Sequence, residues 1–532
     1  MKNNPSEAFS GGKQTLSSEN MTVAVIDIGS TAIRMEVAQI NQQGKITVLE
    51  SLKQTVSLGK DSFTKSIIEK KTIEECVKAL KIFRNVIDAY KIELNRIHAF
   101  ATSAVWEAYN RKTFLERIYI ATGIRVKAMD ETEANRLFYF SIQPALKNEK
   151  SLSLGHALFM EVGGGTTQLI YLIKGKPVFS RAYRFGSFRI REILEYLKAP
   201  DTRFRSLIEN QITRITEDIL SRTGVRGETT LVLMGGDARF AAAQLAAGKK
   251  NSHFVRLSLP RLEKLTEMIL SESVDQLVKK FHLAYSDAEI LGPTLFTYVR
   301  IARTLKIKKI GVIETTIRDG VLWKIEAKKN WMEKFREEIL SSVKNLGKKY
   351  DTDFKHTEYT ARICVRIFSL LANEHGLGKH HELILTIAAL LHDIGMFVSN
   401  SSHHKHSMYL ILNSDLFGLD TTDIQLIALI ARYHRKALPD IKHEEYAKLN
   451  YENQIIVSKL ASLLRIADAL DCSHNQRLSR LGIDLENNQL IITTDRTDDI
   501  SLEEFTLKKK ANLFEQVYGM SVLLRKGKAS QV

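Results

Sequence analysis

The chain contains two copies of one local pattern, and this repeat constrains the fold more than any other feature. In each copy an apolar run rich in β-forming residues ends in a carboxylate, a Gly/Ser/Thr loop follows, and a second apolar run begins. The copies occupy residues 23–31 and 158–167, and their carboxylates are Asp27 and Glu161. A strand that ends in this way can offer backbone N–H groups to a phosphate, and its carboxylate to a metal ion or water. The repeat therefore predicts two similar α/β lobes that face each other.

The continuation of both copies favours phosphate binding over a loop that only turns the chain. After each second apolar run comes a turn containing glycine, at Gly44 and at Gly175, and then a third predicted strand. One glycine-rich loop is weak evidence, whereas two loops in the same strand context are much stronger. Another strand–glycine junction lies at residues 231–237. The candidate phosphate-binding residues are Gly29, Ser30, Thr31, Gly163, Gly164, Gly165, Thr166, Gly235 and Gly236.

The charge balance favours a polyanionic partner. Lys and Arg number 77 against 61 Asp and Glu, which gives a formal net charge of +16. Aromatic residues do not recur beside the basic groups in the way that base stacking requires. We therefore expect a phosphate-rich partner rather than sequence-specific nucleic acid. One basic group follows the second loop and consists of Arg181, Arg184, Arg189 and Arg191.

The 532 residues are too many for one core, and their patterns divide them into five parts. We predict a disordered tail at 1–20, two lobes at 21–145 and 146–326, a helical domain at 327–480, and a small α+β piece at 481–532. The opening residues lack an apolar secretory segment, and no apolar run is long enough to span a bilayer. The three cysteines lie far apart in the sequence. These features predict a cytoplasmic protein with no membrane partner.

From residue 21 onward the chain resembles the bacterial exopolyphosphatase/guanosine pentaphosphate phosphohydrolase (Ppx/GppA) family. The resemblance rests on residues 27–30, 131–139, 163–165 and 318–320. It implies an α/β, actin/hexokinase-like fold with two ribonuclease-H-like lobes and an active site in the cleft between them. It also implies a glutamate that activates water for attack on a terminal phosphate. A divalent cation, Mg²⁺ or Mn²⁺, would be held by Asp27 and Glu161.

Four positions depart from the family pattern. The second loop of the family usually begins with Asp and ends with Glu, whereas here those places hold Glu161 and Gln168. A gapless alignment puts Ala134 at the position of the catalytic glutamate, and Glu133 can take that role if the backbone shifts by one residue. Trp106 stands where the pattern has an arginine. Glu133 is our candidate catalytic base, and the alternative is a solvated residue at the start of a helix.

The helical domain resembles the HD phosphohydrolase domain and carries a full set of its ligand residue types. Imidazoles and carboxylates bind Mn, Fe, Mg or Zn, and an adjacent His–Asp pair can bridge two ions. Lone histidines are usually structural, but six metal-ligand residues in the order of the HD domain are not expected to occur by chance. We interpret His403, His404 and His443 as surface residues or as residues behind the ligands. The predicted ligands of a divalent transition metal are His356, His392, Asp393, His406, His434 and Asp468.

Three kinds of function remain open. The leading hypothesis is an exopolyphosphatase-like hydrolase that releases terminal orthophosphate from inorganic polyphosphate, or, at the same cleft, from guanosine pentaphosphate. In the second hypothesis the altered lobes sense polyphosphate or a (p)ppGpp-type nucleotide, while the HD-like domain performs metal-dependent hydrolysis. The third is a regulatory module that binds a polyanion without chemistry. The resemblance also implies a homodimer.

Overall fold

A computed structural model describes residues 20–197, 201–225, 228–246, 253–327, 335–414, 416–478, 480–495 and 499–527. The tail predicted at 1–20 lies outside the described residues except for residue 20. The chain divides into two compact units. The first comprises the residues up to 128 together with 321–327, and the second comprises 129–320 together with the residues after 327.

A five-stranded mixed sheet and its helices form the first unit. The elements are β1 (Met21–Ile28), β2 (Ala32–Ile40), β3 (Ile46–Thr55), α1 (Leu58–Lys65), α2 (Lys70–Ala89), a 3-10 turn (Leu94–Arg96), β4 (Ile97–Ala101), α3 (Ser103–Trp106), α4 (Arg111–Thr122) and β5 (Val126–Ala128). The strand order is β3-β2-β1-β4-β5, with β2 antiparallel to β1 and β4 parallel to it. Its core combines the sheet with α2 and α4.

A six-stranded sheet opens the second unit. The elements are α5 (Glu131–Asn148), α6 (Lys150–Leu154), β6 (His156–Val162), β7 (Thr167–Ile173), β8 (Lys176–Tyr183), α7 (Ser187–Leu197), α8 (Asp201–Thr223), β9 (Thr230–Met234), α9 (Gly236–Leu245), β10 (Phe254–Ser258), α10 (Leu259–Ser271), α11 (Val274–Phe281), α12 (Tyr285–Thr304), β11 (Lys309–Ile313) and α13 (Ile317–Glu326), whose last residues belong to the first unit. The strand order is β10-β11-β9-β6-β7-β8.

The two sheets share one topology, as the sequence repeat predicts. Taken from β8, the second sheet runs third, second, first and fourth strand like the first sheet; β11 then takes the place of the fifth strand, and β10 is added antiparallel at the edge. In both sheets the second strand is antiparallel to the first and the fourth is parallel to it. Asp27 and Glu161 occupy the same place, one residue before the end of the first strand.

Residues 318–320, one of the segments that carry the resemblance, lie in the first turn of α13. The Asp319 carboxylate accepts hydrogen bonds from the backbone N–H of Thr316 (2.7 Å) and from its hydroxyl (2.8 Å), which caps the helix. Gly320 serves close packing, because an added Cβ would lie 2.1 Å from the Leu137 carbonyl oxygen of α5. The Arg-Asp-Gly sequence therefore ends no element here.

The rest of the second unit is mostly helical and ends in a small sheet. The elements are α14 (Arg336–Lys349), α15 (Phe354–Leu370), α16 (Ala372–His375), α17 (Lys379–Leu391), a 3-10 turn (Ile394–Phe397), α18 (His403–Leu412), α19 (Thr421–Arg432), α20 (Glu444–Ala447), α21 (Tyr451–Ala469), β12 (Leu481–Glu486), β13 (Gln489–Thr494), α22 (Ser501–Lys510), α23 (Asn512–Tyr518) and β14 (Ser521–Lys526). Strands β12, β13 and β14 form a three-stranded sheet in that order. Leucine and isoleucine side chains of α15, α17, α19 and α21 form one continuous core. Among the described residues, no helix is both long and apolar enough to cross a membrane.

Candidate phosphate loop and metal centre

The loop after β6 has its carbonyl oxygens held by the start of α7. The Gly163 oxygen accepts from the Ser187 N–H (2.9 Å), and the Gly164 oxygen accepts from the Arg189 N–H (3.0 Å). Arg189 Nε donates to the Gly165 oxygen at 3.0 Å. Within the described ranges, no protein acceptor is found for the N–H groups of Gly164 and Gly165. The loop therefore presents two consecutive N–H donors, the arrangement that binds phosphate oxygens.

A close approach by Gly186 fixes this loop. A Cβ at position 186 would lie 2.5 Å from the carbonyl carbon and oxygen of Gly164 and from the carbonyl carbon of Gly165. No side chain fits there, so the loop and the start of α7 pack backbone to backbone. The sequence alone did not single out this glycine.

The loop after β1 is closed by the same hydrogen bond. The Gly29 N–H donates to the Ala32 oxygen at 3.0 Å, and the Gly163 N–H donates to the Thr166 oxygen at 2.9 Å. The carbonyl of the buried Ser30 accepts from the Gly59 N–H at 2.8 Å. The two loops thus share their backbone geometry as well as their sequence pattern.

A buried tyrosine joins the ends of β6 and β9. The Tyr298 hydroxyl donates to the Met234 oxygen (2.9 Å) and accepts from the Val162 N–H (3.4 Å). Gly235 follows directly with φ of +97°, and the Glu161 carboxylate lies 3.6 Å from where its Cβ would be. The predicted junction at 235–236 therefore adjoins the predicted metal-binding carboxylate of β6.

Glu133 is buried at the start of α5. Asp130 caps this helix by accepting from the Glu133 N–H at 2.7 Å. The Glu133 side chain is only 7% exposed, and its Oε1 lies 3.3 Å from Arg136 Nη2. Ala134 is buried as well. A solvated helix-start residue would be exposed, so the structure disfavours that alternative for Glu133.

Two departures from the family pattern have local structural consequences. Gln168 lies opposite Glu161 in the β6/β7 register and is buried, so one carboxylate rather than two lies in this register pair. The Arg111 guanidinium lies 4.4 Å from the centroid of the Trp106 ring. Arg111 Nη1 also donates a hydrogen bond to the Trp106 carbonyl oxygen at 2.9 Å. A guanidinium thus lies beside the position where the family pattern has an arginine.

The arginines after the second loop form ion pairs and hydrogen bonds within the protein. Arg181 pairs with Asp218 at 2.7 Å, and Arg191 pairs with Glu289. Arg184 pairs with Glu131 at 3.1 Å. Because Arg184 precedes Gly186 by two residues, the start of α5 lies near the segment that contacts the phosphate loop.

Four imidazoles of the helical region face each other in two pairs. His356 Nε2 and His392 Nε2 are 3.2 Å apart, and His403 Nε2 and His434 Nε2 are 3.1 Å apart. Three of these histidines are at most 2% exposed, and His403 is also buried. Nitrogen atoms at these separations can ligate a common ion, because metal–nitrogen bonds of about 2.0–2.1 Å bring neighbouring ligand atoms this close.

Asp393 lies between the two pairs, one oxygen toward each. Its Oδ1 is 3.3 Å from His403 Nε2 and 3.6 Å from His434 Nε2. Its Oδ2 is 3.6 Å from His392 Nε2 and 3.8 Å from His356 Nε2. A carboxylate in this position can bridge two ions.

Asp468 joins the first pair and has a cationic partner. Its Oδ1 is 3.6 Å from His356 Nε2 and 3.8 Å from His392 Nε2. Its other oxygen forms an ion pair with Lys510 at the end of α22. The C-terminal piece thus fixes one carboxylate of the centre.

The hydrogen bonds behind the imidazoles direct their Nε2 lone pairs inward. When Nδ1–H donates to an oxygen, the neutral ring keeps its Nε2 free to ligate. All four rings have an oxygen near Nδ1; for His403 it is the Asn400 oxygen at 3.2 Å, the same distance as Arg435 Nη1, and the contacts of the other three rings are shorter. The three contacts are His392 Nδ1 to the Ala389 oxygen (2.8 Å), His434 Nδ1 to the Ala431 oxygen (2.6 Å) and His356 Nδ1 to Asp471 Oδ2 (2.8 Å).

The electrostatics of the centre divide the histidines into two kinds. Burial and the neighbouring His392 lower the pKa of His434 to about 3, and burial lowers the pKa of His403. Burial would also lower the pKa of His356, but Asp468 and Asp471 raise it to about 9. Carboxylate neighbours therefore favour the protonated form of His356, whereas burial favours the neutral forms of His403 and His434.

The structure places His403, and not His406, in this centre. Helix α18 begins at His403, which is buried beside Asp393, whereas His406 is half-buried and lies about 4.5 Å further along the helix axis. The approach of the two segments depends on Gly395, whose Cβ would lie 2.2 Å from the His403 carbonyl oxygen. The sequence-based prediction of His406 as a ligand is therefore wrong, and His403 takes its place.

The sequence analysis also missed His474. Its ring stacks on His356 with centroids 3.7 Å apart, and its Nε2 is 3.7 Å from Asp393 Oδ2. A signal was present, because Asp468, Asp471 and His474 recur every third residue from the last turn of α21 into the turn that follows it. The groups able to hold an ion within the described part of the chain are His356/His392/Asp468, Asp393/His403/His434 and His356/Asp393/His474. Their imidazole and carboxylate donors suit a divalent transition metal.

Comparisons with known proteins agree along most of the chain. Residues 36–329 match the model of the Ppx/GppA phosphatase family, and residues 339–517 match Ppx/GppA phosphatase, domain III. A guanosine-5'-triphosphate,3'-diphosphate pyrophosphatase of Pseudoalteromonas translucida is 21% identical over 85% of this chain and 87% of its own length. A protein of the same name from Aeromonas hydrophila is 22% identical over 88% and 92%.

A solved structure shares the fold of more than half of the chain. The exopolyphosphatase of Cytophaga hutchinsonii aligns with a TM-score of 0.52 at 19% identity, over 57% of this chain and 98% of its own. This similarity supports the predicted α/β architecture, whereas the HD-like assignment of the helical region stays a prediction. Since the family model covers more than half of the residues, the chain belongs to the Ppx/GppA phosphatase family.

Proposed function

We propose that the protein hydrolyses the terminal phosphoanhydride bond of a polyanion, with inorganic polyphosphate as the leading substrate and guanosine pentaphosphate as the alternative. The observation that carries the proposal is the loop at 163–165. Its carbonyl oxygens are held by α7, while the N–H groups of Gly164 and Gly165 have no acceptor among the described residues. The names of the relatives support this substrate class.

Glu133 is the proposed base. Its carboxylate would take a proton from the water that attacks the terminal phosphorus, while loop N–H groups hold the phosphate oxygens. The bridging P–O bond breaks, orthophosphate leaves, and the chain is shortened by one phosphate. Asp27 and Glu161 remain the proposed ligands of Mg²⁺ or Mn²⁺, which would neutralise phosphate charge.

The test is orthophosphate release from long-chain polyphosphate and from guanosine pentaphosphate by the wild type and Glu133→Gln. The matched control is Glu131→Gln, which changes a partly exposed glutamate two residues earlier. We expect a loss on the order of a hundredfold or more for Glu133→Gln, and a rate within about twofold of the wild type for the control, because exposed ion pairs contribute little. Unchanged turnover by Glu133→Gln would exclude the role.

A second candidate function is metal-dependent phosphohydrolysis at the histidine–aspartate centre, in an HD-like domain. The observation that favours it is the pair of facing imidazole couples with Asp393 between them. His356, His392 and Asp468 would hold one divalent ion, and His403 and His434 a second. A bound ion would act as a Lewis acid on a phosphate oxygen.

This second function and the proposed homodimer have separate tests. Hydrolysis of phosphate esters is measured with Mn²⁺-loaded wild type and Asp393→Ala, and equal rates would count against the centre as a catalyst. Light scattering of the purified protein measures its mass, and a monomer at 60.4 kDa would exclude the dimer.

A further inference from the structure

Two helix N-termini meet in the second unit. Helix α5 is capped by Asp130, and helix α19 is capped by Asp420 through a capping box with Asp423. One Asp130 oxygen accepts from the Glu133 N–H, and the other accepts from the Thr421 hydroxyl. The first turn of the helical region's α19 is therefore bonded to the first turn of the helix that carries Glu133.

A buried arginine connects the same two turns a second time. Arg136 Nη2 lies 3.3 Å from Glu133 Oε1, and Arg136 Nη1 lies 3.7 Å from Asp420 Oδ2. Arg136 is 4% exposed. A buried guanidinium is stable only when its charge is compensated, and its planar fork fixes the directions of the groups it contacts.

The charges at this junction form a short alternating row. Glu133 is negative, Arg136 positive and Asp420 negative, and the last of these belongs to a segment almost 300 residues further along the chain. If Asp420 loses its charge, the Arg136 guanidinium is no longer attracted to position 420 and can turn further toward Glu133. The orientation of the Glu133 carboxylate then changes even though the residue itself is intact.

We propose that Arg136, held by Asp420, is a positioning residue for the Glu133 carboxylate, so that the helical region completes the hydrolytic apparatus of the preceding lobe. This inference rests on the proposed role of Glu133 as the base. Catalytic geometry is sensitive to displacements of about 1 Å, so a small reorientation is sufficient to slow turnover.

The decisive variant is Asp420→Asn. Asparagine is as good an N-cap as aspartate, so the variant removes the charge that faces Arg136 while α19 stays capped. Asp420→Glu keeps the charge and serves as the conservative rescue. Ser273→Asn changes a cap of the same kind at the start of α11 and is the matched control.

Orthophosphate release from polyphosphate is measured for all four proteins beside Glu133→Gln. We expect Asp420→Asn to lower kcat on the order of tenfold with KM within about twofold, since orientation and not binding is affected. Asp420→Glu should recover most of this loss, and Ser273→Asn should equal the wild type. Equal losses in Asp420→Asn and Asp420→Glu that follow their loss of Tm would overturn the inference, because they indicate a structural role only.

Failure of the inference and failure of the proposed function give different results. If Glu133→Gln abolishes release while Asp420→Asn keeps the wild-type kcat, the inference is wrong and the function stands. If Glu133→Gln is fully active, or the wild type releases no orthophosphate, the proposed function is wrong. Amide hydrogen exchange then tests whether Asp420 and Arg136 still position Glu133. The inference predicts faster exchange at residues 131–137 in Asp420→Asn but not in Asp420→Glu, and unchanged exchange would overturn it.

Discussion

Asp393 Oδ1 lies 3.3 Å from His403 Nε2, although ten residues and a 3-10 turn separate the two in the chain. The contact depends on Gly395, which lets the start of α18 approach the His–Asp pair. It makes His403 the fourth imidazole of the centre and gives the carboxylate a different histidine pair on each oxygen. This geometry has a direct consequence for metal binding.

Replacing His403 should weaken metal binding, and replacing His406 should not. Loss of a ligand is expected to raise the Kd for Mn²⁺ at least about tenfold, the lower limit seen for residues that only support a ligand. Isothermal titration calorimetry of His403→Ala and His406→Ala, with metal content measured by mass spectrometry, makes the comparison. A larger effect for His406→Ala would restore the sequence-based assignment.

Gly186→Ala should abolish phosphate release and lower the Tm. The new methyl group would meet the backbone of the 163–165 loop at 2.5 Å, and backbone cannot move aside as a flexible side chain can. The control is Gly378→Ala, because a Cβ at Gly378 meets nothing within 4 Å. Orthophosphate assays and thermal unfolding of both variants give the result, and full activity of Gly186→Ala would contradict the loop geometry.

Tyr298→Phe should destabilise the second unit by about 1–2 kcal/mol. The change leaves the buried Met234 oxygen and Val162 N–H without the hydroxyl that joins them, and unsatisfied buried groups cost about this much. Urea unfolding followed by circular dichroism measures the difference. Tyr285→Phe on the same helix is the control, since Tyr285 is 56% exposed; equal stability of the two variants would show that the bridge contributes nothing.

His380 should contribute to stability below neutral pH and lose this contribution as the pH rises. Burial opposes its protonation, but the Asp423 carboxylate at 3.0 Å raises its pKa above the ordinary value of 6.5. A histidine whose folded-state pKa is raised stabilises the fold fully below the unfolded pKa, and the gain disappears as the pH passes the folded pKa. The Tm of the wild type should therefore exceed that of His380→Gln at pH 6 and approach it at pH 9. An equal difference at both pH values would contradict this assignment.

The sequence repeat predicted the sheet topology well, because it reports local chemistry. A strand, a carboxylate and a glycine loop leave the same pattern wherever they occur, so the places of Asp27 and Glu161 followed from sequence alone. The role of Gly320 did not follow from the sequence, because this glycine serves helix packing against Leu137 rather than chain reversal.

Contacts between distant segments left no comparable pattern. The choice of His403 over His406 depends on where α18 begins, and the connection of Arg136 to Asp420 depends on the meeting of α5 with α19. Gly186 gave no signal, since its requirement comes from a backbone 22 residues earlier in the chain. Such features arise from tertiary packing, which periodicity and motif spacing do not encode.

The most direct measurement is orthophosphate release from long-chain polyphosphate by the wild type, Glu133→Gln and Asp393→Ala, each with Mg²⁺ or Mn²⁺. If the glycine-loop lobes carry the hydrolysis, Glu133→Gln loses the activity by about a hundredfold or more. If Glu133→Gln keeps the wild-type rate while Asp393→Ala loses it, the chemistry belongs to the histidine–aspartate centre and the central claim is wrong.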